Sequence, residues 1–119
     1  MTHAELVAAI QLELSRGDTR LIRIIAGWAW QGQVAKGATR ERLVLLHPRK
    51  IHLAPDGTSD LIGWGPGAKF AGIEVKVGRD RLRDEQRAFL ATVAAAGGLA
   101  GEARSVDDAA KILSGAALI

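Results

Sequence analysis

The sequence predicts an α/β fold in which helices lie in layers against a central mixed sheet. Two observations carry that expectation. Apolar residues recur at helical spacing in two segments and a near capping box opens a third helix, while short apolar or β-branched runs bounded by Gly and Pro fill the stretches between them. The resulting order is helix, strands, helix, strand, helix.

Taken in order, Leu6, Ile10 and Leu14 sit at helical spacing from about Ala4 to Ser15, and Gly17 ends the pattern. Thr19 to Ile25 is apolar and β-branched enough for a strand. Gly27 to Gly32, with Trp28 and Trp30, reads as an irregular stretch, and Glu41 to His47 as a second strand. Pro55-Asp56-Gly57 is turn chemistry, since Pro presets its backbone angle and Gly accepts positive φ. Ser59 to Trp64 follows as a strand, Gly65-Pro66-Gly67 as a hairpin loop, and Lys69 to Val77 as the longest strand. Leu82, Gln86, Phe89, Leu90 and Val93 share one face of a helix from about Leu82 to Ala96, stopped by Gly97-Gly98. Leu99 to Arg104 makes a short strand, and Ser105-Val106-Asp107-Asp108 opens a last helix to about Leu113.

A chain of 119 residues with 48% apolar and 24% charged residues matches a single globular domain spanning 1–119, able to bury a core without disulfides. No apolar run approaches the ~20 residues of a membrane span, so no membrane association is expected. The absence of Cys excludes thiolate metal sites and cysteine nucleophiles, and it fits a cytoplasmic location. Net charge is only +3, but Arg79, Arg81, Arg83 and Arg87 form one basic group and Lys36, Arg40, Arg42, Arg49 and Lys50 another. Any one of these is by default a solvated surface residue. Two clusters flanking a carboxylate site point to a polyanion.

The chemistry gathers at Asp60 and at Ile73-Glu74-Val75-Lys76. A strand period of two puts Glu74 and Lys76 on one face and turns Val75 into a core. If Asp60 and Glu74 meet across the hairpin, they form an all-oxygen pocket suited to Mg²⁺ or Mn²⁺. Lys76 then stands where a hydroxide or scissile phosphate would sit. An ion pair between Glu74 and Lys76, and a turn role for Asp60, are the plainer explanations. Gln86 weighs against them, because a polar amide on a core-facing helix stripe needs a partner, and this helix follows the Glu-x-Lys strand closely. His3, His47 and His52 lack metal-ligand spacing and are treated as surface or DNA-proximal residues. For Trp28, Trp30 and Trp64, burial in the core or an interface is favoured over base stacking.

Asp60, Glu74-x-Lys76 and Gln86 together resemble the PD-(D/E)XK nuclease superfamily. The longer segments Gly57-Thr58-Ser59-Asp60-Leu61-Ile62-Gly63, Ile73-Glu74-Val75-Lys76 and Asp84-Glu85-Gln86-Arg87-Ala88-Phe89-Leu90 are similar to its VRR-NUC branch, as are Ala96-Gly97-Gly98 and Ala103-Arg104-Ser105. Arg23 and Gly27 resemble that family's Arg-Asn-Asn-x-Gly segment, although Ile24 and Ile25 replace the two Asn. Arg83-Asp84 stands where the family has Ser-Pro.

The resemblance implies a restriction-endonuclease-like α/β/α core and a metal-dependent DNA endonuclease. It implies Asp60, Glu74, Lys76 and Gln86 as catalytic residues. Metal ligation would fall to Asp60, Glu74, the Val75 carbonyl and Glu5 of the first helix, with Mg²⁺ or Mn²⁺ as cofactor. Arg23, Arg79, Arg81, Arg83 and Arg87 would contact nucleic acid. Stand-alone members of this phage and bacterial type are similar to Holliday-junction resolvases. By that likeness the chain is expected to be a homodimer cleaving four-way junctions or related branched DNA, in the cytoplasm of a bacterial cell or phage-infected host. A nucleic-acid-binding module of the same fold that no longer cuts is the alternative, and a non-nuclease interaction protein is a third reading.

Overall fold

Helix α1 (His3–Leu14) begins at Thr2, whose side chain accepts a hydrogen bond from Glu5 N at 3.1 Å while the Glu5 carboxylate accepts one from Thr2 N at 3.4 Å. This reciprocal capping box satisfies two N–H groups that the helix start would leave open. The buried face is Leu6, Val7 and Ile10. The computed structural model describes residues 1–116. The expected 1–119 span therefore includes three residues, 117–119, that lie outside the described ones.

Four strands form the main sheet: β1 (Arg20–Arg23), β4 (Leu61–Trp64), β5 (Phe70–Val75) and β6 (Leu99–Ala103), in the order β1-β4-β5-β6. The β1/β4 and β4/β5 pairs are antiparallel and β5/β6 is parallel, so the sheet is mixed, as expected. The parallel pair follows from α2 (Asp84–Ala95), which carries the chain back between β5 and β6.

Strand β5 is buried on both faces, and its alternation decides what each face receives. Ala71, Ile73 and Val75 join Leu6, Val7, Ile10, Leu61 and, from helix α3 (Val106–Leu113), Ala109 and Ile112 in one core. On the other face α2 packs Leu90 and Val93 around Ala100. Packing there is tight at Gly72, where a Cβ would come within 3.2 Å of the Phe89 ring. A slip of one residue would drive Glu74 into the α1/α3 core and turn Ile73 and Val75 out of it. Each displaced side chain would forfeit about 1.5–3 kcal/mol of burial, so the register is firmly specified. The outcome is an α/β fold with three helices flanking a mixed sheet, consistent with a restriction-endonuclease-like core.

Two expectations fail in the segment before β4. Gly27 to Gly32 is not irregular: Trp28–Val34 forms β2. The strand expected from Glu41 to His47 instead begins at Leu45 and runs to His52 as β3. The two pair antiparallel in a separate two-stranded sheet. Its register shifts between Gln31 and Gln33, where His47 and Pro48 are accommodated opposite Gly32. The bulge absorbs a Gly and a Pro that would otherwise interrupt a ladder. The hairpin is almost entirely exposed, and Trp28, Trp30 and Trp64 are 58%, 63% and 42% exposed, so none of the three is a core residue. Among the described residues no helix is long and apolar enough to cross a membrane.

Candidate active site

The register Leu61↔Ile73 places Asp60 opposite Glu74 at the point where β4 starts. With no further β4 residues to pair, the Val75 backbone turns to side chains. Its N–H donates to Asp60 Oδ2 at 2.9 Å and its carbonyl lies 3.1 Å from His3 Nε2. Asp60 N in turn donates to Glu74 Oε2 at 3.2 Å. The expected meeting of Asp60 and Glu74 across the hairpin thus arises from the end of a ladder.

Glu74 is 4% exposed. Gln86 Nε2 donates to Glu74 Oε1 at 3.0 Å, and Gln86 Oε1 accepts from Arg83 N at 2.9 Å. The second bond settles the amide's orientation: its oxygen is committed to the α2 N-terminus, so its NH₂ faces the carboxylate. Lys76 Nζ lies 3.8 Å from Glu74 Oε1, a loose ion pair beside the carboxylate. Loss of hydration, followed by the negative charge of Asp60, pushes the Glu74 carboxyl up to about 8 against the pull of Lys76. Two carboxylates and a carbonyl have been packed together with too little positive charge to match.

Gly57 supports this arrangement from behind. It has φ +91°, and a Cβ there would meet the Glu85 carbonyl oxygen at 2.5 Å, so the turn before Asp60 can lie directly against the start of α2.

The other residues expected at the site divide. Glu5 is exposed and its carboxylate serves the α1 cap. The residue of α1 that reaches the carboxylates is His3, whose Nε2 is 3.1 Å from Asp60 Oδ2. Sequence spacing missed it because a single His has no partner of regular spacing. The signal available was Thr2-x-x-Glu5, a capping box that makes His3 the first helical residue. Arg79 and Arg81 line a polar depression with Gly78 and Arg104. Arg104 pairs with Glu102 at 2.9 Å and donates to the Gly78 and Asp80 carbonyls, which holds the loop carrying the two arginines. Arg83 pairs with Glu85 on the surface, while Arg23 and Arg87 are exposed, Arg23 at the end of β1 and Arg87 on α2.

Among the described residues, no group of three or more His, Asp or Glu side chains is placed to hold a metal ion. The donor set fits a hard divalent cation only with the Val75 carbonyl counted, alongside Asp60 and the charge-crowded Glu74. That combination of carboxylate, carbonyl and surplus negative charge suits Mg²⁺ or Mn²⁺ and excludes a thiolate-type site.

Compared with known families, the chain matches a family model described as VRR-NUC domain over residues 32–107. That span contains Asp60, Glu74, Lys76 and Gln86, while α1 and β1 precede it. No curated protein and no solved structure matches the chain.

Proposed function

The chain belongs to the VRR-NUC family, a nuclease-type domain, and on that premise we propose that it is a divalent-metal-dependent endodeoxyribonuclease selective for branched DNA, with four-way junctions as the favoured substrate. The observation that carries the reading is Glu74, a buried carboxylate held against Asp60 and flanked by Lys76 and Gln86.

In this reading Asp60, Glu74 and the Val75 carbonyl hold Mg²⁺ or Mn²⁺, with α1 completing the set. When bound, such a cation supplies Lewis acidity, making water a stronger nucleophile and offsetting charge on the phosphate. Gln86 fixes the Glu74 carboxylate by donating to one oxygen while its own oxygen is tied to the helix start. Lys76 directs its ammonium group to the attacking oxygen or to the charge that grows on the phosphate, in a site shielded enough for that charge to count. Arg79, Arg81, Arg87 and Arg23 meet the backbone phosphates, with Arg83 at the start of α2.

Two further features support the DNA and dimer parts of the proposal. The hairpin from Trp28 to His52 carries five Lys and Arg against one Glu, whereas the remainder of the chain holds eleven against twelve acidic residues. Its Trp28 ring stacks on His52 at 4.4 Å between centroids, with Lys50 Nζ 4.7 Å from the ring centre. An apolar depression between α1 and the edge strand β1, lined by Ala8, Leu12, Leu21, Ile22 and Trp64, lies away from the carboxylates and suits a second copy. Two sites related by a two-fold axis match the symmetry of a four-way junction. A bacterial or phage-infected cytoplasm is the location this reading takes.

The test is a panel of four-way junctions, flaps and linear duplexes incubated with Mg²⁺ or Mn²⁺. Wild type is expected to nick the junctions, and Lys76→Ala to bind them while cutting at least about 10²–10³-fold more slowly. Preference for linear duplex would remove the junction assignment. Cleavage by K76A at the wild-type rate would remove the lysine's role, and binding without metal-dependent cleavage would favour the inactive module.

A further inference from the structure

Building on the divalent-cation reading above, we propose that His3 is itself a cation ligand, joining Asp60 and the Val75 carbonyl through Nε2. The site is then a mixed nitrogen–oxygen set, and Glu5 takes no part in it.

Geometry is the first support. His3 Nε2 lies 3.1 Å from Asp60 Oδ2 and 3.1 Å from Val75 O. Adjacent ligands of an octahedral ion with bonds of about 2.1 Å are separated by about 3.0 Å, the diagonal of two bonds at right angles. Both spacings from the imidazole nitrogen therefore match the edges of such a coordination shell.

The second support is how the imidazole is held. His3 is the first helical residue after the Thr2 cap, and the turn that follows is anchored by Leu6 and Val7, at 4% and 0% exposure. A residue on a capped and buried helix turn is a preorganised donor, unlike one on a loose terminus. The side chain remains 38% exposed, which leaves an open side for water and a phosphate. Without a cation, Nε2 faces two oxygen acceptors and must donate a proton to them. The lone pair becomes available there when the ring proton sits on Nδ1 instead.

The third support is the Val75 carbonyl. Among the described residues its hydrogen-bond partner is His3, because β4 begins too late to pair with it. A carbonyl at the end of a ladder is a donor that a cation can take without breaking the sheet. Glu5, by contrast, would have to leave its capping box, and the box stabilises the helix that positions His3.

An imidazole in the set carries a chemical consequence. It shifts preference from Mg²⁺ toward Mn²⁺, Co²⁺ and Ni²⁺, where nitrogen ligands gain more than oxygen ligands do. Mg²⁺ would bind, but less selectively than in a site made of oxygens alone.

Calorimetric titration of Mn²⁺ and Mg²⁺ into the untagged full chain, and into His3→Ala, His3→Glu, Glu5→Gln and Glu74→Gln, tests this. H3A is expected to bind Mn²⁺ at least about ten-fold more weakly, H3E to recover affinity with a preference moved toward Mg²⁺, and E5Q to match wild type. In NMR spectra, traces of Mn²⁺ are expected to broaden the His3 ring signals before those of His47 and His52. Melting curves establish that each variant is folded, and H3E provides the measurement should H3A prove unstable. Mn²⁺ binding by H3A as tight as wild type, or loss of affinity in E5Q instead, would overturn the His3 assignment and leave the nuclease reading intact. Failure of wild type to bind Mn²⁺ at all would overturn both.

Discussion

Glu74 shows what the site demands of a single residue. Its carboxyl is pushed up to about 8 from a usual 4.5 by burial first and by Asp60 second. The folded protein therefore keeps a proton there that the unfolded chain releases, and the sign follows. The stability this group contributes is full below about pH 4.5 and is lost as pH rises through about 8. In the presence of a chelator the wild type is expected to melt at a lower temperature at pH 8.5 than at pH 5.5, with Glu74→Gln flattening that fall. Adding Mn²⁺ at the higher pH is expected to restore the wild type and leave E74Q unchanged. A thermal melt at both pH values checks this, and an equal pH response in the two proteins would deny the carboxyl its burden. Asp60, Glu74, Lys76 and Gln86 were legible as residues because each offends a local pattern: a charge inside an apolar strand, or an amide on a core stripe. His3 offends none. It is a polar residue near a chain end, and only the packing of α1 reveals what it touches.

The element scale is where the sequence misled. Gly27, Gly32 and Pro48 punctuate the region from Trp28 to His52, and local reading takes punctuation as the end of structure. In the fold one bulge takes up Gly32 and Pro48 and the ladder resumes beyond it. The elements that build the site were read correctly to within a few residues, because β4 alternates, α2 buries Gln86, Leu90 and Val93 at helical spacing, and β5 and β6 are short, largely apolar runs buried on both faces and bounded by turn residues. The hairpin buries almost nothing, so it left no such period to find. Its charge suggests its work. The double change Arg49→Ala with Lys50→Ala is expected to weaken junction binding most at low salt. It should also reduce the slope of log affinity against log salt by about 2, one unit for each phosphate no longer neutralised. Binding titrations at several salt concentrations measure that slope, and cutting of already bound DNA should be unaffected. An unchanged slope would take the hairpin off the phosphate backbone.

Over the whole molecule, basic charge concentrates on the hairpin, which also exposes Trp28, Trp30, Val34 and Leu46, and a second apolar patch lies beside β1. The molecule, hairpin included, has principal dimensions of 50 × 31 × 25 Å, and exposed Leu12, Ile22 and Trp64 share the depression beside β1. Edge strands are usually blunted by charge or covered. Here β1 carries Ile22 at 50% exposure, with Leu12 of α1 at 82%. Leu12→Glu is expected to convert a dimer to a monomer in sedimentation experiments without lowering the melting temperature by more than a few degrees, since the residue contributes little to the core. A wild-type monomer at micromolar concentration would end the dimer proposal.

The sequence alone determined the layered α/β arrangement, the mixed sheet and the family, because burial periodicity and the Gly57–Gly98 motifs are written in consecutive residues. Tertiary structure decided which groups gather around Asp60. A ladder that ends at Leu61 and Ile73 frees the Val75 carbonyl, and a capped helix brings His3 to it from 72 positions away in the chain. No local pattern encodes a contact of that separation. It follows from the packing of Leu6, Val7 and Ile10 against Ile73 and Val75, the same core that fixes the strand register.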